Sequence, residues 1–467
     1  MTSFRGAFSQ TRYKALFFDL KRYLLLDPNL LAVRAPEAEI AAVMNVLLIS
    51  ANREDINMLT LPMGLACVAA AVEKDGHAVR FLDLLSVEDI PAAVKEAIRS
   101  FQPEVIGVSV RNIDDQSMEQ GRFLLDQAKE VVRLCREFSA APIVLGGAGY
   151  SIFPESALEY LGADMGIQGE GEAAFPMLLE RIEQKRDLDG VPGLHLPGKG
   201  LQGPLSFIRD LDGLPYPEPA IFAADAQLET SAWLPYQTRR GCPLDCSYCS
   251  TASIEGRITR RRSPAAVVAN LAGWVKSGFS QIFFVDNTFN LPVSYALELC
   301  RRITEAELKI TWRCIFNPGK VSRPLVEAMA KAGCRDVSLG FESGCESVLQ
   351  SMNKHFGAQE IREASHLLAE FGIKRIGFLL LGGPGETKAS VEESLAFADS
   401  LKLDALKLTI GIRIYPHTGL ARRAVAEGLI APGDSLLYPR FYLVEELKPW
   451  LRETVVQWAE GRPYCFF

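Results

Sequence analysis

Twice along this chain, short apolar runs that read as buried strands alternate with helical stretches, and this rhythm constrains the fold most. Asn45–Ser50 (NVLLIS) is a continuous apolar run, as a parallel strand covered on both faces requires. Gly64–Lys74 reads as a helix ended by Gly76 and His77, and Ala78–Asp83 as the next strand. A helix follows over Ile90–Ser100, a strand over Val105–Val110 and a helix over Met118–Phe138. Ile143–Leu145 then enters the turn Gly146-Gly147-Ala148-Gly149, and Asp164–Ile167 leads to Gly169-Glu170-Gly171-Glu172. Residues 44–185 are therefore expected to form a doubly wound, Rossmann-like domain of the α/β class.

From Gly190 to Pro219 glycine and proline become dense, and Pro215, Pro217 and Pro219 exclude regular helix or central strand. Residues 186–230 read as a linker. The alternation then resumes. Pro235–Gly241, Ile282–Val285, Lys309–Cys314, Val337–Phe341, Arg375–Leu381 and Ala405–Ile414 read as strands with helical patterns between them. Residues 231–430 thus predict a partial, TIM-like (β/α)6 barrel, whose ligand groups belong at the carboxyl ends of its strands. Residues 1–43 read as an appendage with one surface helix over Tyr13–Leu26. Residues 431–467, rich in aromatics, read as a tail packed on the barrel.

A net charge of −7 gives no footprint for nucleic acid. Arg257, Arg260, Arg261 and Arg262 are a local exception, read as an exposed basic loop. Ten cysteines scattered through a chain with no secretory signal fit a reducing cytoplasm, and no run is long and apolar enough to span a membrane.

The chemistry concentrates after the linker. Cys242, Cys246 and Cys249 follow a predicted strand with C-x-x-x-C-x-x-C spacing. Thiolates are soft ligands suited to iron–sulfur clusters. A ferredoxin would supply a fourth cysteine close by, but the next here is Cys300, inside a predicted helix. Three corners of a cubane are held and the fourth iron is open. A zinc site would need a further His or Cys, and no closely spaced second pair exists.

This motif, with Tyr248 before its last cysteine, resembles the signature of the radical S-adenosylmethionine (SAM) superfamily. The region before it resembles the cobalamin-binding domain that precedes many radical SAM barrels. That likeness rests on NVLLIS, Leu61-Pro62-Met63-Gly64-Leu65, Asp75-Gly76-His77, Gly146-Gly147 and Gly169-Glu170-Gly171-Glu172. The resemblance implies a 4Fe–4S cluster, SAM and cobalamin as cofactors. It assigns SAM contacts to Tyr248, Asp286, Asn287, Glu342, Ser343, Gly382, Gly383 and Arg413. Asp286-Asn287-Thr288 replaces the more common Gly-Gly-Glu. Cobalamin contacts fall to the strand-end loops, at Asn52, Arg53, Arg111, Asn112, Gly146, Gly147, Gly169 and Glu170.

Cobalamin domains of the D-x-H-x-x-G type supply a histidine to cobalt. The only D-x-H here is Asp75–His77, followed by Arg80 where glycine is required, and it precedes a strand instead of following one. Cobalt is therefore expected to lack a histidine ligand.

The family likeness implies methylation of an unactivated carbon of a small-molecule, lipid or natural-product substrate, through a 5′-deoxyadenosyl radical and methylcobalamin. A flavodoxin or ferredoxin would supply electrons. A cyclase or ring-rearranging oxidoreductase of the same architecture is the alternative, and a non-enzymatic cobalamin or redox sensor the alternative of another class. His417, after the last barrel strand, is a candidate acid or base at the substrate site.

Overall fold

The computed structural model describes residues 43–54, 61–119, 121–223 and 233–467. The expected helix Tyr13–Leu26 and the loop residues Asp55 and Asn57 lie outside the described residues.

The first sheet contains β1 (Asn45–Ser50), β2 (Ala78–Asp83), β3 (Val105–Ser109), β4 (Ile143–Gly146) and β5 (Met165–Ile167), all parallel, in the order β2-β1-β3-β4-β5. Helices Met63–Lys74, Ile90–Phe101, Leu125–Phe138, Pro154–Leu161 and Gly171–Glu183 cover it. Val46–Ile49 of β1 are all apolar because both faces of the strand are buried. Val46 and Leu48 join Val72, Phe175 and Leu178 in one core, while Leu47 and Ile49 join Val94, Ile98 and Val131 in another. The strand order reverses between β1 and β3, which opens a crevice at their carboxyl ends.

Two segments depart from the reading of the sequence. The expected helix Met118–Phe138 starts only at Leu125. Ahead of it, the Asp114 and Asp115 side chains accept from the Gln116 and Ser117 amides at 2.9 and 3.0 Å, and Asp114 bridges to Phe123. These local bonds compete with the helix and win. In the Pro/Gly-rich stretch, a hairpin of β6 (Leu194–Leu196) and β7 (Gly200–Leu201) extends the first sheet, with β6 antiparallel to β5.

The second sheet begins with β8 (Leu234–Tyr236). A short ribbon of β9 (Arg239–Arg240) and β10 (Arg260–Arg261) follows and brackets the cysteine loop. Then come β11 (Gln281–Phe284), β12 (Thr311–Phe316), β13 (Cys334–Glu342), β14 (Lys374–Leu381) and β15 (Ala405–Ile410). The last expected strand breaks at Gly411, whose φ of +77° turns the chain into β16 (Ile412–Arg413). β16 pairs with β17 (Phe441–Tyr442), and β18 (Cys465–Phe466) adds to β15. The order β8-β11-β12-β13-β14-β15-β18 is the partial barrel, and the aromatic tail packs on it through β18 and the helix Leu451–Ala459. Along β12 buried and half-buried residues alternate. Trp312, Cys314 and Phe316 face the outer helices, which leaves Arg313 and Ile315 toward the lumen. The two α/β layers share one core, in which Ile412, Ile414 and Leu420 join Ile113 and Phe153.

Candidate active site

The cysteine loop is held by its backbone. The Cys242 amide donates to the Gly256 carbonyl at 3.1 Å and the Ser247 amide to the Met352 carbonyl at 3.0 Å. The Leu420 amide donates to the Ser247 carbonyl at 2.7 Å. The thiols are left free. Cys242 is buried, Cys246 half-buried and Cys249 exposed, with the Cys249 Sγ 3.2 Å from Thr251 Oγ1. Burial, with the neighbouring thiols adding to it, pushes the Cys242 thiol up to about 11. Among the described residues no three His, Cys, Asp or Glu converge on one point as a single ion requires. A cubane takes one thiolate at each of three corner irons, so its ligands stand apart, and a soft donor set spread along one loop suits it.

The sequence reading missed Lys354. Its ammonium donates to the Tyr248 hydroxyl at 2.8 Å and to Glu342 Oε1 at 3.1 Å, and Tyr248 donates to the same Glu342 oxygen at 2.9 Å. The lysine and glutamate side chains are 7% and 10% exposed. Burial opposes the lysine's charge, but Glu342 and the Cys246 and Cys249 thiols outweigh it and hold Lys354 above its usual range. Glu342 has a φ of +64°, a strained conformation at the carboxyl end of β13 that directs its side chain to this cluster. The signal for Lys354 was distance: it lies 12 positions from Glu342 but 106 from Tyr248.

Several of the residues expected to contact SAM have partners within the protein. Asp286 is fully buried. Its oxygens accept from the Thr238 and Arg239 amides at 2.7 and 3.0 Å, from the Thr238 hydroxyl at 2.6 Å and from Arg239 Nε at 3.1 Å. Asn287 reaches Glu255 at 2.7 Å, and that carboxylate also accepts from Gln237 and the Gly241 amide. Ser343 turns into the core onto Ser394 at 2.9 Å. The Gly382 and Gly383 amides both donate to Glu386, and Leu443 from the tail fills the space beside Gly382. Burial raises the Glu386 carboxyl to about 7, against the pull of those two amides. Arg413 pairs with Asp114 of the first domain at 2.8 Å and with the Ile414 and Leu436 carbonyls. Each was legible as a strand-end polar or glycine, but for Asp286, Asn287, Ser343 and Arg413 a partner lies far along the chain.

Between the two domains lies a cavity of about 450 Å3. Its rim is formed by the carboxyl ends of β1, β3 and β4, with Asn52, Arg111, Gly146 and Gly147, and by Gln237, Arg240 and Glu255 of the barrel side. Its depth is an apolar slot between the sheet and two helices, lined by Leu48, Leu65, Val68, Val144 and Phe175. A Cβ on Gly146 would meet nothing within 4 Å, so the backbone there is open to a large ligand. Arg111 is half-buried, with its guanidinium held below its usual range by burial alone. No described carboxylate makes a salt bridge with it. Cys67 also lines the cavity, and burial lifts its thiol to about 12, so it stays neutral.

Among the described residues no histidine lines the cavity. His77 is at the opposite edge of the sheet, where its Nδ1 accepts from the Met44 amide at 3.3 Å. Asn112 bonds to Asn52 at 3.2 Å and thereby orients it, while Arg53 is exposed and off the cavity. Gly169 and Glu170 line it, but the Glu170 carboxylate accepts from Arg260 at 2.6 Å and from the Ile208 amide at 2.7 Å. Beside it, Glu172 pairs with Arg240. The expectation of an exposed arginine loop is thus corrected: Arg260 and Arg262 are buried, and Arg260 clamps one domain to the other. His417 is exposed, in a left-handed turn (φ +61°) two residues before Gly419, which packs on Ser247 of the cysteine loop.

Known proteins match both halves. A family model for the radical SAM superfamily matches residues 236–398, and one for the B12 binding domain matches residues 50–179. An uncharacterized methyltransferase of Pyrococcus horikoshii is 26% identical over 88% of this chain and 90% of its own length. The tryptophan 2-C-methyltransferase of Streptomyces laurentii is 24% identical over 79% of this chain and 73% of its own. Among solved structures, the radical SAM methyltransferase TsrM from Kitasatospora setae, with tryptophan and a SAM analogue bound, superposes with a TM-score of 0.79. It covers 90% of each chain at 22% identity, a likeness of fold.

Proposed function

We propose that this chain, which carries a B12-binding domain followed by a radical SAM domain, is a cobalamin-dependent radical SAM methyltransferase acting on a small molecule. The observation that carries this reading is the interdomain cavity, which opens at the β1/β3 crevice and reaches the barrel beside the three-cysteine loop.

Cys242, Cys246 and Cys249 would hold the 4Fe–4S cluster. When bound, the cluster supplies an electron and an open iron for SAM, and cobalamin supplies a transferable methyl group. The chain's own groups position and shield. Tyr248, Glu342 and Lys354 form a buried, mutually satisfied cluster next to the thiols, so the lysine's charge is fixed where SAM's carboxylate would approach. Gly146 would admit the edge of a large ring, the apolar slot would take an apolar tail, and Arg111 would offer donors to a polar rim. The loop from Arg111 to Glu119 joins the two domains through Asp114–Arg413 and Glu119–Arg452, and would help hold their cofactor-facing surfaces in place.

All ten cysteines are free thiols, which supports a cytoplasmic setting, and no helix among the described residues is long and apolar enough to cross a membrane. A flavodoxin or ferredoxin would reduce the cluster.

Anaerobically reconstituted protein, given cobalamin and methyl-labelled SAM, should retain the cobalamin through gel filtration and carry label onto it. After reduction it should release 5′-deoxyadenosine. Protein that never retains cobalamin, yet cleaves SAM normally, would refute the methyltransferase reading. A second measurement tests the ligand face. The electron paramagnetic resonance of bound cob(II)alamin should show no nitrogen splitting, and His77→Ala should leave the spectrum unchanged. Splitting that vanishes in that variant would place the ligand on the wrong edge of the sheet.

A further inference from the structure

We infer that the surface around Ile258 is the docking site of a small acidic one-electron carrier protein. The inference rests on the function proposed above and adds to it the place where electrons enter.

The loop after the cysteine motif bears two unusual side chains. Ile258 is 77% exposed, the most exposed large apolar residue among those described, and Arg257 beside it is exposed. Arg261 and Arg209 are exposed nearby. The segment bearing Arg209 is fixed alongside: Phe207 packs on Gly256, and the Ile208 carbonyl accepts from Arg260 at 2.8 Å. Among the described residues no carboxylate forms a salt bridge with Arg209, Arg257 or Arg261. Asp210, next in sequence to Arg209 and also exposed, caps the Asp212 and Gly213 amides at 3.1 and 3.2 Å, and the exposed Asp212 accepts from the Ser263 amide at 2.8 Å. Arg209, Arg257 and Arg261 outnumber these two carboxylates, so on a chain of net charge −7 the apolar centre has a net positive rim. Such a rim attracts an acidic protein over several ångströms, and the centre supplies the desolvated contact.

Its location names the cargo. Gly256, just before Arg257, accepts from the Cys242 amide at 3.1 Å. The Ile258 carbonyl is pressed onto Gly241, the residue before Cys242, so closely that a Cβ there would stand 2.2 Å from it. On its other side the same segment presents Ile254 and Glu255 to the interdomain cavity. The patch is thus one backbone bond from the cluster loop and one side chain from the cobalamin cavity. A docked, reduced carrier would give up one electron, and a cluster held by Cys242, Cys246 and Cys249 would take it up.

The test compares two reductants on the cluster-loaded, cobalamin-loaded full chain. The variants are Arg257→Glu/Ile258→Glu and Arg209→Glu/Arg261→Glu, with Arg257→Lys as the charge-preserving control. With a purified acidic flavodoxin in its fully reduced form, at subsaturating concentration and low salt, SAM cleavage should fall about tenfold or more in both charge-reversed variants. The lysine control should retain the parent rate, and added salt should slow the parent and not the variants. With dithionite all proteins should cleave SAM at the parent rate. Flavodoxin-driven rates within about twofold of the parent, or a parallel loss with dithionite, would overturn the docking site. A parent protein that holds iron but cleaves no SAM even with dithionite would instead remove the enzymatic reading, and the docking site with it.

Discussion

Changing Cys242, Cys246 and Cys249 together to alanine is expected to remove the iron–sulfur cluster and all SAM cleavage while leaving the fold intact. The loop's shape does not depend on the thiols. Its fixing bonds run from the Cys242, Ser247 and Leu420 backbone to Gly256, Met352 and Ser247. No other cysteine can substitute. Cys300, Cys314 and Cys334 are buried in the barrel's outer core, and burial pushes the Cys300 thiol far above its ordinary value. Cys345 is buried and bonded to Ser347 at 3.3 Å, and Cys135 is in the core of the first domain. None of these thiols lies on the cysteine loop, so none stands where a loop ligand would be replaced. Iron content should drop from about four per chain to near zero, with 5′-deoxyadenosine below detection and the thermal midpoint unchanged. Iron and turnover surviving in the triple variant would contradict the assignment of the site.

The second large effect is on stability. Arg413 and Asp114 are 3% and 2% exposed and 2.8 Å apart, and they join the barrel's last strand to the loop after β3. Removing one partner of such a pair leaves a buried charge unpaired, which costs about 3–5 kcal/mol. Asp114→Ala should therefore lower the unfolding free energy by about that amount. Replacing both partners, as Asp114→Leu/Arg413→Met, should recover part of it, because no buried charge is left unpaired, while the Ile414 and Leu436 carbonyls and the Gln116 amide lose their partners. Denaturant titration measures both. The same series separates a structural pair from a ligand site. If Arg413 bound SAM or substrate, Asp114→Ala would leave stability near the parent value and change affinity for SAM. Exposed pairs such as Arg133–Glu137, each about half exposed, should tolerate the same treatment with little consequence.

The aromatic tail shows how far local pattern carries and where it stops. Its aromatics announced that residues 431–467 pack on the barrel, and they do, through Trp450 and Trp458. That Leu443 fills the space beside Gly382, in the turn expected to contact SAM, was invisible, because it depends on where the tail's path crosses the barrel.

The sequence by itself determined what local period and spacing encode. The apolar run of β1, the strand–helix alternation of both sheets and the three-cysteine loop each follow from residues a few positions apart. The absence of a histidine at the ligand edge of the first sheet was legible for the same reason: position relative to a strand end is local. Only the tertiary structure decided which strand-end polar groups remain free. Asp114 and Arg413 are 299 positions apart, Glu170 and Arg260 90, Asp286 and Arg239 47. A carboxylate at a strand end reads alike in sequence whether it meets a cofactor or a guanidinium. The choice falls to whichever cation the fold brings within about 3 Å, since a buried charge is tolerated only when paired. The same rule brought Lys354 to Tyr248 and Glu342, and it left Arg111 facing the cavity between the domains.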